Sequence, residues 1–385
     1  MKKFGANGKR NIKFFDYTLL FVVIFLVGFG LIMIYSTSSY TCSLSASTNY
    51  DGAYYLKKQL LSTIIGLVIM VVVIFIQYHF WERFSLLALI GSIVLIFLVL
   101  SPLGIERNGA RRWLNLGLSL QPAEVAKLGV ILFLANTISK MSAKGLKSFK
   151  GFCFCITGPG IVAALIYFIT NNLSSAIIVV GIAMAMIFVA SPDYRKFIIM
   201  IVVVAAAAVL VVYLAQKNVL GFRGNRIKAW LDPESDPTVN GFQTLQALYA
   251  IGSGGLFGKG LGQSIQKLGF IPEAQNDMIF SIICEEMGLF GAFAVIFLFI
   301  ILIWRCLVIA SNTKDIFGAL LVTGVMSHFA IQVILNIAVV TNTIPNTGIS
   351  LPFISYGGSS VLFLLIEIGL VLSVGRGIKF EEPDR

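Results

Sequence analysis

Phe270-Ile-Pro-Glu-Ala-Gln-Asn-Asp-Met-Ile-Phe280 marks the border between a polar, glycine-rich segment, 216–268, and a strongly apolar run, 278–304. The run exceeds the roughly 20 residues that a helix needs to cross the hydrocarbon core of a bilayer. Two acids, Glu273 and Asp277, stand at the mouth of this expected span. Because ionisable groups at such a border are expensive unless they have a purpose, the stretch indicates a functional site.

Asp277 has two interpretations that the sequence alone weighs equally. A carboxylate beside an apolar wall loses hydration, its pKa rises, and it becomes a better general base. Alternatively, Asn276 or Asp277 caps a helix that begins at Met278, in which case the helix dipole would lower the pKa of the acid. The two roles are not exclusive.

The composition predicts an all-α polytopic membrane protein, with about ten transmembrane helices and a large outer loop between spans seven and eight. Of the 385 residues, 57% are hydrophobic and 12% are charged, against roughly 25% charged in soluble domains. Membrane-spanning strands would show an alternation of polar and apolar residues that this chain lacks. We expect one integral membrane domain over residues 1–385.

The formal charge of +11 does not indicate nucleic-acid binding, because the basic residues cluster in short loops between spans, where they set orientation. The five cysteines show no disulfide framework or zinc spacing. His79 and His328 are far apart in sequence, so we expect no histidine metal cluster and place each at a helix end or in a packed interface.

The order of apolar runs and basic loops predicts the topology. Spans are expected near 17–35, 60–77, 85–100, from 122, near 151–169, 175–190, up to about 214, 278–304, 317–340 and up to about 375. The basic N-terminus, 1–16, and the tail, 376–385, are then cytoplasmic, and the loop 216–277 is extracytoplasmic. Cys42 is expected in an outward segment, 36–58, and Cys306 at the inner end of span eight.

Two motifs near the expected fourth span carry charges. Gln121-Pro-Ala-Glu-Val-Ala-Lys127 places Glu124 and Lys127 on one helix face, and we favour a functional pair over a purely structural one. Asn108-Gly-Ala-Arg-Arg-Trp113 offers the guanidinium groups of Arg111 and Arg112, which suit phosphate, although the motif alone favours an interfacial anchor around Trp113.

The glycine-rich run 252–262 resembles a nucleotide loop, but Gly260 follows Lys259 where a P-loop needs Ser or Thr. We therefore reject nucleotide binding and expect the glycines to pack backbone against a substrate or a neighbouring helix, with Lys259 and Lys267 supplying positive charge. Either Glu285 or Glu286 should face the side of Asp277, while at least one of them forms a buried hydrogen bond. Gln332 and Asn336, four residues apart, are expected to join helices.

Six motifs in this order resemble the SEDS family (shape, elongation, division and sporulation), which contains FtsW and RodA. They are 108–117, 121–124, 252–262, 272–280, 285–288 and 351–360, and they extend over most of the chain. The chain departs from the family pattern at Gln275 and Asn276, where the family often has His and Thr, and at the turn 171–175, which lacks an acid and a glycine. Any contribution of those family residues is unsupported here.

The resemblance implies a peptidoglycan glycosyltransferase that polymerises lipid II on the outer face of the bacterial plasma membrane, during cell division or cell-wall elongation. It implies a class B penicillin-binding protein transpeptidase and other divisome or elongasome membrane proteins as partners. The family's essential aspartate falls on Asp277. Residues expected to bind substrate are Arg111, Arg112, Trp113, Glu124, Lys127, Lys259, Glu273 and Ser355.

The expected chemistry is one inverting step, in which Asp277 takes a proton from a sugar hydroxyl that attacks an anomeric carbon bearing a lipid pyrophosphate. Arg111, Arg112, Lys127 or Lys259 could meet the developing charge, with a divalent cation, Mg²⁺ or Mn²⁺, as a further candidate. The alternatives are a lipid II flippase and a non-catalytic scaffold of the division machinery. A flippase should line a path through the midplane with polar groups, yet spans three, six and seven are nearly free of charge.

Overall fold

The computed structural model describes residues 12–13, 15–107, 109–141, 145–146, 148–191, 230–235 and 241–380, with scattered positions from 195 to 227. Eight of the described helices are long and apolar enough to cross a membrane. They are α1 (Tyr17–Leu44), α2 (Tyr54–Phe75), α5 (Pro122–Ser139), α6 (Phe149–Thr170), α7 (Leu173–Ala190), α9 (Ile279–Asn312), α10 (Ile316–Val340) and α11 (Gly358–Arg376). The chain is therefore a multi-pass helical membrane protein, as the composition predicts.

Three shorter α-helices also have described bounds: α3 (His79–Arg83), α4 (Ser85–Leu98) and α8 (Phe242–Gly254). Helix α4 coincides with the expected third span, but its 14 residues reach only about 21 Å at 1.5 Å per residue. The expected seventh span lies largely outside the described residues. Helix α8 falls within the loop 216–277, of which 216–226, 228–229 and 236–240 are also outside the described part.

Two expectations are corrected by the structure. Helix α1 continues to Leu44, nine residues beyond its expected end, so Cys42 is a buried helical residue and not part of an outward loop. The segment 104–120, expected to be irregular, forms a three-stranded antiparallel sheet of β2 (Gly104–Arg107), β3 (Ala110–Leu116) and β4 (Leu118–Leu120). In its register Arg107 pairs with Ala110 and Leu114 with Leu120.

Polar side chains fix where several helices begin. Asp16 Oδ1 accepts the N–H of Leu19 at 2.9 Å, Asn172 Oδ1 accepts that of Ser175 at 3.0 Å, and Asp315 Oδ2 accepts that of Gly318 at 2.8 Å. Each side chain satisfies a backbone donor that the first turn leaves without a partner. Asn171, with φ 49°, ends α6, so the short 171–172 turn joins two antiparallel helices as expected.

Helices α5, α10 and α11 form the centre of the bundle, since 67% of the most apolar window of each is buried. Lipid supplies no hydrophobic drive between helices, so packing depends on close approach. A Cβ on Gly129 of α5 would lie 2.9 Å from the carbonyl oxygen of Ala88 in α4, and one on Gly369 of α11 would lie 3.0 Å from that of Met70 in α2. Because glycine has no side chain at these two positions, each pair of helices can pack closely.

The two chain ends meet at one end of the bundle. Strand β1 (Ile12–Lys13) pairs antiparallel with β5 (Lys379–Phe380). Nearby, Asp16 is fully buried in a 2.8 Å ion pair with Arg305. We call the opposite end of the bundle the Asp277 end. It holds Asp277, the β2–β4 sheet and the loop 341–357.

Candidate active site

Asp277 lies in a series of turns, 269–278, just before α9, which begins at Ile279, one residue later than expected. The turns are closed by backbone hydrogen bonds from Ile271 to the carbonyl of Gln266 and from Asn276 to that of Glu273. Glu273 has φ 49°, a left-handed conformation that these tight turns impose. The sequence therefore folds locally so that the carboxylate precedes, and does not enter, the helix.

The loop 341–357 and helix α10 hold Asp277 from two sides. Asn336 Nδ2 donates to the carbonyl of Asp277 at 2.8 Å and to that of Ile349 at 2.7 Å. The N–H of Tyr356 donates to the carbonyl of Gln275 at 2.8 Å. A Cβ on Gly348 would lie 3.7 Å from Asp277 Oδ2, so the loop passes directly beside the carboxylate.

Burial raises the pKa of Asp277 to about 6, and the negative charge of Glu273 adds to the rise. A carboxylate with this pKa is mostly ionised at neutral pH and is a stronger base than an ordinary aspartate. Neither Asn276 nor Asp277 is the N-cap of α9, because that residue is Met278, which makes no side-chain capping hydrogen bond. The Asp277 carboxylate does accept the backbone N–H groups of Asp277 and Met278, and these lower its pKa, but the effect of burial is larger. The raised pKa of Asp277 therefore favours a role as general base.

Glu124 and Lys127 form a buried ion pair in the first turn of α5, with Oε1 and Nζ 2.9 Å apart. Lys127 Nζ also donates to Gln332 Oε1 at 3.4 Å, and Gln332 Nε2 donates to the carbonyl of Ser350 at 3.0 Å. The pair is thus connected through α10 to the loop that passes beside Asp277. Gln332 and Asn336 join helices and loop, as expected of such amides.

Glu285 and Glu286 are both buried in ion pairs. Glu285 Oε1 lies 2.7 Å from Lys259 Nζ and accepts the N–H of Ile265 at 3.1 Å, and Glu286 Oε1 lies 2.7 Å from Lys267 Nζ. The expectation that at least one of these acids is buried in a hydrogen bond is confirmed. Lys259 is engaged by a carboxylate, and its predicted contact with substrate stays a prediction.

The glycine-rich run 252–262 packs its backbone against α9. Helix α9 is broken at Gly288, where φ is 66° and ψ is −164°. The N–H groups of Lys259 and Gly260 donate to the carbonyls of Glu285 and Glu286, and that of Leu289 donates to the carbonyl of Gly255. The expectation that these glycines allow close backbone packing against a helix is confirmed, and the broken helix keeps its polar backbone satisfied.

Arg111, Arg112 and Trp113 lie on strand β3. Arg111 Nε is 3.4 Å from Glu106 Oε2 in an exposed pair. Arg112 Nη2 donates to the carbonyl of Asn171 at 2.9 Å and its Nε to that of Thr170 at 3.2 Å, so this side chain attaches the sheet to the end of α6. Trp113 faces Ile105 across the β2–β3 pair.

Ser355 is buried, and its Oγ accepts the N–H of Leu351 at 2.7 Å. Its N–H donates in turn to the carbonyl of Leu351 at 3.0 Å, which closes the turn that leads to Tyr356. Glu273 Oε2 accepts from Asn276 Nδ2 at 2.9 Å, close to Asp277. Of the expected substrate-binding residues, Glu273 is the one that shares a turn with Asp277.

The sequence interpretation missed Glu367, which is fully buried in α11, with Oε2 2.8 Å from His328 Nδ1. An acid in the middle of an apolar span is itself a signal, because such residues require a partner. His328 lies in a packed interface and His79 begins helix α3, as expected of both histidines.

A divalent cation has limited protein ligands here. The described residues contain no group of three or more His, Cys, Asp or Glu side chains that could hold a metal ion. Magnesium is nevertheless often bound by one or two carboxylates together with substrate phosphates. Glu273, the acid in the same turns as Asp277, fits that mode of binding.

Comparison with known proteins connects this geometry to a family. The family model described as cell cycle protein, of the FtsW, RodA and SpoVE type, matches residues 17–379. A probable peptidoglycan glycosyltransferase FtsW of Trichlorobacter lovleyi is 38% identical over 95% of this chain and 94% of its own. Stage V sporulation protein E of Bacillus subtilis is 40% identical over 94% and 97%.

Solved structures share the fold. A chain in a peptidoglycan synthase complex, described as coordinating polymerization and crosslinking, superposes with a TM-score of 0.77 at 26% identity, over 94% of this chain and 98% of that one. The rod shape determining protein RodA of Thermus thermophilus superposes with a TM-score of 0.66, over 96% and 98%, and at 24% identity it supports the fold alone.

Proposed function

The chain belongs to the FtsW, RodA and SpoVE family and is a peptidoglycan glycosyltransferase, and we propose that Asp277 is the general base with which it polymerises lipid II. The observation that carries this proposal is the position of Asp277. The carboxylate is half-buried in a loop held by Asn336 and flanked by Gly348, and its pKa is raised to about 6.

The reaction is a single displacement with inversion. A hydroxyl of one saccharide attacks the anomeric carbon of a second, and Asp277 accepts the hydroxyl proton as the new glycosidic bond forms. The bond from the anomeric carbon to the lipid pyrophosphate breaks, and its electron pair leaves on the phosphate oxygen. One base and stabilisation of the leaving group are sufficient, because no covalent sugar intermediate is needed.

The leaving pyrophosphate requires positive charge. Lys127 and Lys259 are each paired with a buried carboxylate, and Arg112 is engaged at the end of α6. Arg111 pairs only with exposed Glu106 among its described ion pairs, and exposed pairs contribute little, so Arg111 is the cation most easily redirected to phosphate. A Mg²⁺ or Mn²⁺ ion held by Glu273 and phosphate oxygens would neutralise the same charge and leave Asp277 able to accept the proton.

The active site faces the outer side of the plasma membrane in this proposal, with both termini in the cytoplasm. Pairing of the terminal strands β1 and β5 supports a single side for both termini, and the basic loops support the cytoplasmic one. The structural neighbour comes from a complex described as coordinating polymerization and crosslinking, which supports a crosslinking partner. In this proposal that partner is a class B penicillin-binding protein transpeptidase, together with other divisome or elongasome membrane proteins.

The test is the conversion of purified lipid II to glycan by Asp277→Asn. A transpeptidase partner whose own active-site serine has been removed is present. Loss of the base should reduce polymerisation by about a hundredfold or more, with folding and lipid II binding retained. Asp51→Asn, which removes an exposed acid from the turn after α1, is the matched control and should polymerise normally.

Near-normal glycan from Asp277→Asn would exclude the base assignment. If the parent makes no glycan with any partner or divalent cation, while moving lipid II across vesicle membranes, a lipid II flippase would be the better description. If the parent neither makes glycan nor moves lipid II across the membrane, a non-catalytic scaffold would be the better description.

A further inference from the structure

A cavity of about 270 Å³ lies beside the turns that carry Asp277. Its walls come from the last turns of α1, from the short helix Ala46–Thr48, and from 267–275. It includes Glu273 and Gln275, and Gln275 is only two residues from Asp277, a distance of at most about 7 Å along the chain. The cavity is smaller than the roughly 300 Å³ at which typical ligand pockets begin, so it suits one compact group.

The α1 side of this cavity presents hydrogen-bond acceptors. The hydroxyls of Thr37, Thr41 and Thr48 donate to main-chain carbonyls of Met33, Ser38 and Cys42, at 2.8, 3.1 and 2.6 Å. Each hydroxyl proton is therefore used, while the oxygen keeps lone pairs that can accept from a ligand. The carboxylate of Glu273 adds another acceptor.

The segment 267–275, which also carries Glu273, presents donors. Gln275 is 8% exposed, and its side-chain amide has no hydrogen-bond partner among the described residues. Lys267 Nζ, which lines the same cavity, donates to Glu286 at 2.7 Å and to Ser36 at 3.0 Å. An ammonium has three donors, so one remains for a ligand. The Gln275 amide lines the cavity and forms no hydrogen bond with another described residue, so it can donate to a polar occupant.

The charges of the lining decide which class of occupant fits. The ammonium of Lys267 is already neutralised by Glu286, and Glu273 adds a negative charge, so the cavity does not suit a phosphate. The positively charged ammonium of Lys267 in the cavity wall also repels a metal ion. What remains is a neutral group with several donors and acceptors and one apolar side, which can rest against Ile271, Ala274 and the ring of Tyr55.

We propose that this cavity is a saccharide subsite that binds one N-acetylhexosamine unit of the glycan substrate. The acetamido carbonyl accepts from Gln275 and Lys267, and the ring hydroxyls donate to the threonine oxygens and Glu273. This inference rests on the proposed function, since it places a sugar next to the turn of the general base. It assigns Gln275, Thr37 and Thr41 to substrate binding.

Binding of a probe sugar tests the subsite without relying on catalysis. Tri-N-acetylchitotriose is titrated against purified Asp277→Asn protein, with and without Gln275→Leu or Thr37→Val, and binding is expressed per folded molecule. Removing the amide should weaken binding about tenfold, the worth of one buried hydrogen bond. In the Asp277-containing enzyme, Gln275→Leu should raise the KM for lipid II more than it lowers kcat.

The matched control is Thr157→Val. Thr157 is an exposed helical threonine of α6 whose hydroxyl also donates to a carbonyl of its own helix, that of Cys153 at 2.7 Å. Thr157→Val removes a hydroxyl, as Thr37→Val does, but at a position away from the cavity. Its sugar binding and activity should therefore match those of the parent.

Equal binding of the trisaccharide by parent, Gln275→Leu and Thr37→Val would overturn the subsite, as would no binding to the parent at millimolar sugar. Binding that is kept in Asp277→Asn and weakened by Gln275→Leu supports the subsite whatever Asp277→Asn does to polymerisation. Unimpaired polymerisation by Asp277→Asn would count against the general base alone.

Discussion

Asp277 and Glu273 lie four residues apart in one set of turns, and their charges interact. Burial is the main reason why the pKa of Asp277 rises to about 6, and the charge of Glu273 raises it further. A general base works only when it is deprotonated, so activity should fall as the pH drops through about 6. The pH dependence of the enzyme therefore reports the environment of this carboxylate.

Glu273→Gln should shift the acidic limb of the pH–rate profile to lower pH. The change removes a negative charge beside Asp277, which lowers the pKa of Asp277 and keeps it ionised in more acidic solution. The measurement is kcat/KM for lipid II polymerisation from about pH 5 to about pH 8, the range around a base of this pKa.

Glu106→Gln is the control, since Glu106 forms an exposed pair with Arg111 on the β2–β3 hairpin. Its profile should follow that of the parent. A Glu273→Gln profile with an unchanged midpoint, or with a midpoint at higher pH, would mean that Asp277 is not the group that limits activity in acid.

The proposed base, Asp277, could be selected from the sequence because an acid at the mouth of an apolar run is conspicuous. The groups that hold Asp277 in place could not be identified from the sequence. Asn336 is 59 residues away and contacts the carbonyl of Asp277, and Gly348 reaches the carboxylate from another loop. Such contacts depend on how helices pack, and a single sequence carries no signal for which helices become neighbours.

At the scale of elements, helix α9 is interrupted at Gly288, and the run 255–260 forms hydrogen bonds with the residues on both sides of the break. The values φ 66° and ψ −164° belong to a region that essentially only glycine occupies. The same hydrogen bonds hold Lys259 next to Glu285. The break thus positions a buried ion pair within two and a half turns of Asp277.

Gly288→Ala should destabilise the protein severely. A Cβ at this position would lie 2.4 Å from the backbone nitrogen of Gly258 and 2.5 Å from the carbonyl oxygen of Leu256. The conformational strain alone costs about 1–3 kcal/mol, and neither backbone atom can move aside without breaking the pairing. Thermal unfolding of the purified protein in detergent measures the loss.

Gly28→Ala provides the comparison within the same fold. Gly28 lies inside α1, and a Cβ there would meet no atom within 4 Å. That change should leave the unfolding temperature equal or slightly raised, because alanine is the better helix former. If the two variants unfold at the same temperature, the break at Gly288 is not a structural requirement.

Spans and turns were predictable at this scale to different degrees. Long apolar runs predicted both ends of α6, α7 and α10, and the last residue of α11, to within two residues, since lipid leaves a helix few alternatives. Helix α2 begins six residues earlier than expected, and α9 ends eight residues later. The small sheet 104–120 was missed, although Asn108-Gly109 is a strong hairpin signal. The end of α1 was placed too early because hydroxyl-rich residues 36–43 look like a loop, whereas Thr37 and Ser38 satisfy their hydroxyls on helix carbonyls.

At the scale of the whole molecule, the two ends of the bundle differ in chemistry. One holds the paired terminal strands and the Asp16–Arg305 pair, and the other holds Asp277, the cavity beside it and the sheet. The terminal strands can pair only if the chain crosses the membrane an even number of times. The eight described spans, α4 and the expected seventh span together satisfy this condition.

Orientation is testable with an impermeant thiol reagent, but the native cysteines at the two ends cannot report it. Cys42 and Cys306 are buried, and of the five cysteines only Cys153 is exposed. A Cys153→Ser background is therefore needed. Tyr50, 65% exposed in the turn after α1, and Ser311, exposed near the end of α9, are the positions for introduced cysteines.

In intact cells Tyr50→Cys should be labelled, and Ser311→Cys should be labelled only after the membrane is permeabilised. We expect this pattern because basic loops favour the cytoplasmic side for the terminal-strand end of the bundle, and the proposed orientation then places the Asp277 end outside. The parent is the internal control, because its exposed Cys153, near the start of α6, should behave like Ser311→Cys. The reverse pattern would place Asp277 in the cytoplasm, where a base for polymerisation on the outer face could not act, and both the orientation and the proposed site of synthesis would then be wrong.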